Sequence, residues 1–121
     1  MALHPQVASA IKMAEEMNLP ALNTQTPEAA RAAAKANTAA APTEHDDVHS
    51  VRDTVIPGPG GDLPIRIYTP SEGTDHSLIV WFHGGGWVIG DLDNEDPACR
   101  VIANATNSVI VSIDYRLSPD V

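Results

Sequence analysis

Leu78-Ile79-Val80-Trp81-Phe82-His83-Gly84-Gly85-Gly86-Trp87 is the stretch whose reading decides the fold. An apolar run of strand length passes straight into a histidine and three consecutive glycines. A continuous apolar strand belongs to a sheet covered on both faces. Glycine loses more backbone entropy on folding than any other residue, so three in a row require a reason. A loop whose backbone N–H groups turn toward a ligand, with side chains kept out of the way, supplies one. Fixed N–H donors of this kind hold the oxyanion that forms from a carbonyl during acyl transfer, each worth roughly 3–4 kcal/mol in other enzymes. On this reading Gly84, Gly85 and Gly86 are the candidate catalytic backbone, and His83 pins the loop through side-chain hydrogen bonds.

Two other glycine-rich elements are disfavoured by spacing. A dinucleotide-binding turn reads G-x-G-x-x-G, which would put its third glycine at Ile89, whereas Gly90 falls one residue late. A phosphate-binding P-loop needs Gly-Lys-Ser/Thr, which the chain lacks. Gly58 to Gly61 match neither pattern and read as a hairpin turn.

Downstream of the glycines, Asp96-Pro97 is expected to open a helix with Val101, Ile102 and Ala105 apolar, ending near Asn107. Ser108 to Ile113 is a second continuous apolar strand. Strand, helix and strand make a βαβ unit, so the two strands are expected to be parallel with a right-handed connection. Upstream, β-branched residues from Val48 to Ile56 and the alternation Leu63, Ile65, Ile67 predict a hairpin, strands 48–56 and 63–69, around the turn cluster Pro57 to Asp62. Before that, Pro5 with Val7, Ile11, Ala14 and Met17 predicts one helix. Thr26-Pro27-Glu28 starts another by capping, proline and dipole preferences. This second helix is expected to run to about Asn37, ended by Ala39-Ala40-Ala41-Pro42. Residues 1–45 are thus expected to form accessory helices and a linker, and 46–121 the α/β part.

Composition narrows the function further. The chain has 121 residues, and its aromatic residues all lie between Tyr68 and Tyr115. With 16 acidic and 7 basic residues the formal charge is −9. That disfavours nucleic acid as a partner, which needs clustered Lys and Arg, and disfavours an anionic membrane surface. Cys99 is the single cysteine, so no internal disulfide and no cysteine-based metal site is expected; the residue reads as small and buried. No run reaches the roughly 18–20 apolar residues of a membrane span, and the N-terminus lacks the basic and apolar regions of a signal peptide. Cytoplasm is the default location. His45, Asp47 and His49 alternate as metal ligands would in an extended segment, but a solvated linker is the preferred reading.

In sequence the chain resembles the hormone-sensitive-lipase-like family of α/β-hydrolases, in particular its bacterial esterases. The resemblance rests on Val55-Ile56-Pro57-Gly58, Ile65-Arg66-Ile67-Tyr68-Thr69-Pro70, Phe82-His83-Gly84-Gly85-Gly86-Trp87, Gly90-Asp91-Leu92, Cys99-Arg100 and Asp114-Tyr115-Arg116-Leu117-Ser118-Pro119-Asp120, in this order. The family usually has Ala and Glu where Ser118 and Asp120 stand. The HGGG-type loop is the oxyanion loop of lipases and esterases. The resemblance implies the N-terminal portion of an α/β-hydrolase fold: cap helices, a β-hairpin and the first βαβ unit of a mostly parallel sheet. It implies a serine carboxylesterase acting on small esters without a cofactor or metal. Gly84 and Gly85 would supply N–H donors, Gly86 and Trp87 would shape the substrate pocket, and His83, Asp91, Asp114 and Arg116 would support loops by ion pairs and hydrogen bonds.

The triad order in these hydrolases is Ser, then Asp or Glu, then His. No G-x-S-x-G occurs here, and no serine sits at a strand–turn–helix elbow. The triad is therefore expected on sequence after Val121, in a C-terminal hydrolase segment or a second chain, and the 121 residues alone are expected to be inactive. In the family the glycine-loop strand lies between the 108–113 strand and the nucleophile strand, so here it would form a bare apolar edge. A homo-oligomer is allowed for the complete protein. The competing hypothesis is a truncated, non-catalytic binding or interaction module.

Overall fold

The computed structural model describes residues 2–18, 20–40 and 44–120. Its elements are α1 (Pro5–Glu16), a 3-10 turn (Leu22–Thr24), α2 (Pro27–Ala40), β1 (Ser50–Gly58), β2 (Gly61–Thr69), β3 (Ser77–Phe82), α3 (Leu92–Thr106) and β4 (Ser108–Ile113). The strands form one sheet in the order β1-β2-β4-β3. β1 pairs with β2 and β2 with β4 antiparallel, while β3 and β4 run parallel from Ser77↔Ser108 to Phe82↔Ile113. The described sheet is thus mixed, and the expected βαβ unit, β3-α3-β4, is its parallel part.

Three boundaries differ from expectation. The hairpin strands extend to Gly58 and from Gly61, leaving Pro59-Gly60 as a two-residue turn. Pro57 is tolerated within β1 because that strand lies at the sheet edge, where a missing N–H need not break a ladder. α2 continues through Ala39 and Ala40, which are good helix formers; Ala41 and Pro42, expected to end it, lie outside the described residues. α3 begins at Leu92, not at Asp96-Pro97. Asp91 is its N-cap, accepting the Asn94 N–H at 2.8 Å, and Asp93 and Glu95 lie in the first turn near the positive end of the helix dipole. Pro97 therefore sits inside the helix and withholds one backbone donor.

α3 covers one face of the sheet. Tyr68, Cys99, Ala103 and Ile110 form the buried core, with Val48, Ile79, Trp81 and Ile102 packed against it. Polar tips at its margin are satisfied: Tyr68 donates to Asp96 and Trp81 Nε1 to Glu95, both at 3.0 Å. Burial pushes the Cys99 thiol up to about 11, so it stays protonated and unreactive at neutral pH. The opposite face carries Leu78, Val80 and Phe82 from β3, exposed by 64, 49 and 65%. Among the described residues β3 has no neighbour beyond β4 and no cover on this side. α1 is likewise bare, with Val7, Ile11 and Met17 exposed.

An ion-pair network joins the hairpin to α3. Arg66 grips both carboxylate oxygens of Asp53, at 2.6 and 3.0 Å, and reaches Asp93 at 2.9 Å. Asp96, 3.6 Å from Arg66, also accepts from Arg100 at 2.6 Å. The Arg66 hydrogen bonds hold Asp53 below its usual pKa against a smaller opposing effect of burial. A depressed carboxylate pKa contributes stability above the unfolded value of 3.8, lost as the pH falls through the folded one. Arg66→Met strips a largely buried cation from three carboxylates. It is expected to cost about 1–3 kcal/mol in urea unfolding at pH 7, with the difference from wild type shrinking below pH 3.8.

Candidate active site

Because β3 and β4 are parallel and end level with each other, their following loops leave the same edge of the sheet side by side. The first, His83–Gly90, is the glycine loop; the second runs from Asp114 to Asp120. Tyr115 ties them together. Its hydroxyl donates to the His83 carbonyl at 2.6 Å, and its ring stacks on the imidazole at 4.2 Å between centroids. His83 Nδ1 lies 2.7 Å from the Gly84 carbonyl and 3.2 Å from the Tyr115 oxygen. The one Tyr115 proton is used on the His83 carbonyl, so we assign the proton of the imidazole to Nδ1, shared between two oxygens. Nε2 is then an unprotonated acceptor, buried and without a partner among the described residues.

Backbone sign changes shape the loop. Gly85, Gly86 and Trp87 have φ of +123°, +61° and +62°, and Gly90 has +111°. The turn is closed by Val88 and Ile89 N–H groups, both 3.1 Å from the Gly85 carbonyl. A Cβ at Gly85 would overlap the Ile89 carbonyl, and one at Gly90 would overlap the His83 ring. Gly84 has open space where a side chain would go. Its own N–H and those of Gly85 and Gly86 meet no acceptor among the described residues, and all three glycines are exposed. The loop is closed by the two bonds to the Gly85 carbonyl and leaves three consecutive glycine N–H groups without a partner among the described residues.

The other sequence-predicted residues fall as follows. Trp87 is 74% exposed at the loop tip. Asp91 ends the loop as the α3 cap. The ion pairs expected of Asp91, Asp114 and Arg116 do not form among the described residues. Asp91 is committed to the helix end, and the Arg116 guanidinium lies over Gly60 of the hairpin turn. The Asp114 N–H bonds the Pro64 carbonyl at 3.0 Å. Burial raises the pKa of its half-buried side chain; His83 opposes that rise, while Asp91 and Asp93 add to it. His45, Asp47 and His49 do not converge: among the described residues no three His, Cys, Asp or Glu side chains could hold a metal. No described helix is long and apolar enough to cross a membrane.

Sequence reasoning missed Arg31. From α2 it donates Nε to the Val88 carbonyl and Nη2 to the Ser118 carbonyl, both at 2.9 Å, and Nη1 to Asp120 at 2.5 Å. Its partners are 57 to 89 residues away, and no local signal announces them.

A family model described as alpha/beta hydrolase fold matches residues 79–121. The carboxylic ester hydrolase LipN of Mycobacterium tuberculosis is 49% identical over 70 residues, which is 58% of this chain and 19% of that protein. An arylesterase of Saccharolobus solfataricus is 40% identical over 75 residues, 62% of this chain and 24% of that protein. The hyperthermophilic esterase of Pyrobaculum calidifontis superimposes with a TM-score of 0.84 at 31% identity, over 100% of this chain and 39% of that one. The chain thus spans about a fifth to a quarter of those curated relatives and under two fifths of that solved structure. It has the α/β-hydrolase fold, corresponding to the N-terminal part of the solved esterases. Within that fold, the proteins it is similar to are named as ester hydrolases and esterases.

The loop geometry separates its glycines. Gly84→Ala is expected to stay within about 1 kcal/mol of wild type, the ordinary range for a residue with room around it. Gly85→Ala and Gly90→Ala combine a positive φ with backbone or ring overlap and are each expected to lose at least about 2 kcal/mol in thermal or urea unfolding.

Proposed function

We propose that this chain supplies the oxyanion-holding half of a carboxylic ester hydrolase. The observation that carries the reading is the set of exposed, unpaired N–H groups of Gly84, Gly85 and Gly86 at the C-terminal end of β3. The names of the relatives, ester hydrolase, arylesterase and esterase, agree with it.

In the proposed reaction a serine hydroxyl attacks the ester carbonyl. A base takes its proton, the carbonyl oxygen becomes an anion, and the alcohol leaves with a proton to give an acyl-enzyme that water hydrolyses. Gly84 and Gly85 donate to the anion, and the N–H after the nucleophile adds a third bond. Because these donors are fixed before the substrate arrives, no reorganisation is needed when charge develops. Gly86 and Trp87 border the substrate, while His83 and Asp91 hold the two ends of the loop and Arg116 braces the neighbouring hairpin turn. The helices within residues 1–45 act as part of a cap. The Ser-Asp-His triad is carried by a further hydrolase segment, in keeping with relatives several times longer than the aligned region, and the 121 residues alone are inactive.

The complete protein is expected to hydrolyse p-nitrophenyl butyrate, and the isolated chain is not. Gly84→Val, whose side chain has room, and Gly85→Val are each expected to lower kcat about a hundredfold or more. Unchanged turnover in a folded Gly84→Val protein would remove the oxyanion assignment.

A further inference from the structure

We propose that Arg31 is the positioning residue of the glycine loop, locking its conformation from the N-terminal helix α2. The proposal rests on the reading of that loop as the oxyanion site.

Its basis is a closed ring of hydrogen bonds. Arg31 Nε binds the Val88 carbonyl, the adjacent Trp87 carbonyl accepts from Ser118 N–H at 2.8 Å, and the Ser118 carbonyl returns to Arg31 Nη2. Asp120 holds the remaining arm of the guanidinium. Two consecutive loop carbonyls, those of Trp87 and Val88, are therefore fixed from outside the loop. They belong to the segment that most needs fixing, because Trp87 is a bulky residue at φ +62°. A conformation of that kind persists only where the surroundings over-determine it. The ring also reaches the donors: Val88 N–H bonds the Gly85 carbonyl, so moving Val88 tilts the peptide that carries the Gly86 N–H.

The chemistry selects arginine. A planar fork serves three acceptors in fixed directions, whereas an ammonium is a point charge on a flexible stem. The position on α2 matters as well. Ala30, beside Arg31, is the one buried residue of that helix among those described. Among the described residues, the other side-chain hydrogen bond from α2 to the sheet domain is the 3.0 Å bond from Thr38 to Asn94. Arg31 thus couples the helices that would cover the site to the loop that would do its chemistry.

The test uses the natural full-length protein with Arg31→Ala, Arg31→Lys and, one turn along the same face of the helix, Lys35→Ala, which removes an exposed cation that makes no hydrogen bond to the loop among the described residues. Two readouts are taken: p-nitrophenyl butyrate kinetics and amide hydrogen exchange. Arg31→Ala is expected to lower kcat about 10–100-fold with KM changed by less than about threefold, as a misplaced but intact site would. Added guanidinium ion is expected to restore part of that loss, and Lys35→Ala to match wild type. Exchange at Val88, Ile89 and Ser118 is expected to quicken about tenfold or more in Arg31→Ala as the ring opens. Unchanged kcat, a change in KM alone, full activity in Arg31→Lys, or an equal loss in Lys35→Ala would each overturn the proposal. If wild type hydrolyses no ester, the oxyanion reading fails separately, and unchanged exchange at those amides is then the result that overturns the positioning role. If Arg31→Ala does not fold, Arg31→Lys carries both readouts, with slower turnover and faster exchange expected.

Discussion

Parallel pairing of β3 with β4, carried level to Phe82↔Ile113, is the constraint on which the rest of the site depends. It makes both strands deliver their loops to the same place. A parallel pair requires a crossover, and α3 supplies it while covering the sheet face that carries Tyr68, Ile79, Trp81 and Ile110. Without that register, Tyr115 would not meet the His83 carbonyl, and Ser118 would not meet Trp87.

Given that placement, the loop is a balance between strain and restraint. Three consecutive residues at positive φ include one tryptophan, a conformation that nothing in its side chain favours. The restraints come from three directions: His83 and Tyr115 at the entry, Arg31 and Ser118 at the middle, and the Asp91 cap at the exit. All act on carbonyls, side chains or the helix end. The N–H groups of Gly84 to Gly86 are left over, which is the condition for binding an anion.

Much of this was legible in the sequence wherever the signal is local. The uninterrupted apolar runs Ser77–Phe82 and Ser108–Ile113 mark β3 and β4, and the glycines mark the loop between β3 and α3. Proline misled twice. Pro57 reads as a turn but is carried by an edge strand, and Pro97 reads as a helix start but lies inside α3, because the Asp91 cap wins. Long-range polar contacts were not legible. Arg31 looks like any exposed arginine on an alanine-rich helix until the fold brings residues 88, 118 and 120 beside it. Arg66 likewise stands in a strand that reads as alternating, and only the α3 packing gives it Asp93 and Asp96. The left-handed Trp87 has no sequence signal, since that conformation is ordinarily the province of glycine.

The central claim is that the unpaired glycine-loop amides receive the oxyanion. Amide NMR of the complete protein before and after reaction with an alkyl phosphonate tests it most directly, because the phosphonyl oxygen stands where the carbonyl anion would be. The Gly84 and Gly85 amide protons should move strongly downfield in the adduct, while that of Gly73, in the loop at the opposite edge of the sheet, stays in place. A stoichiometric adduct that leaves the Gly84 and Gly85 resonances unmoved would contradict the account.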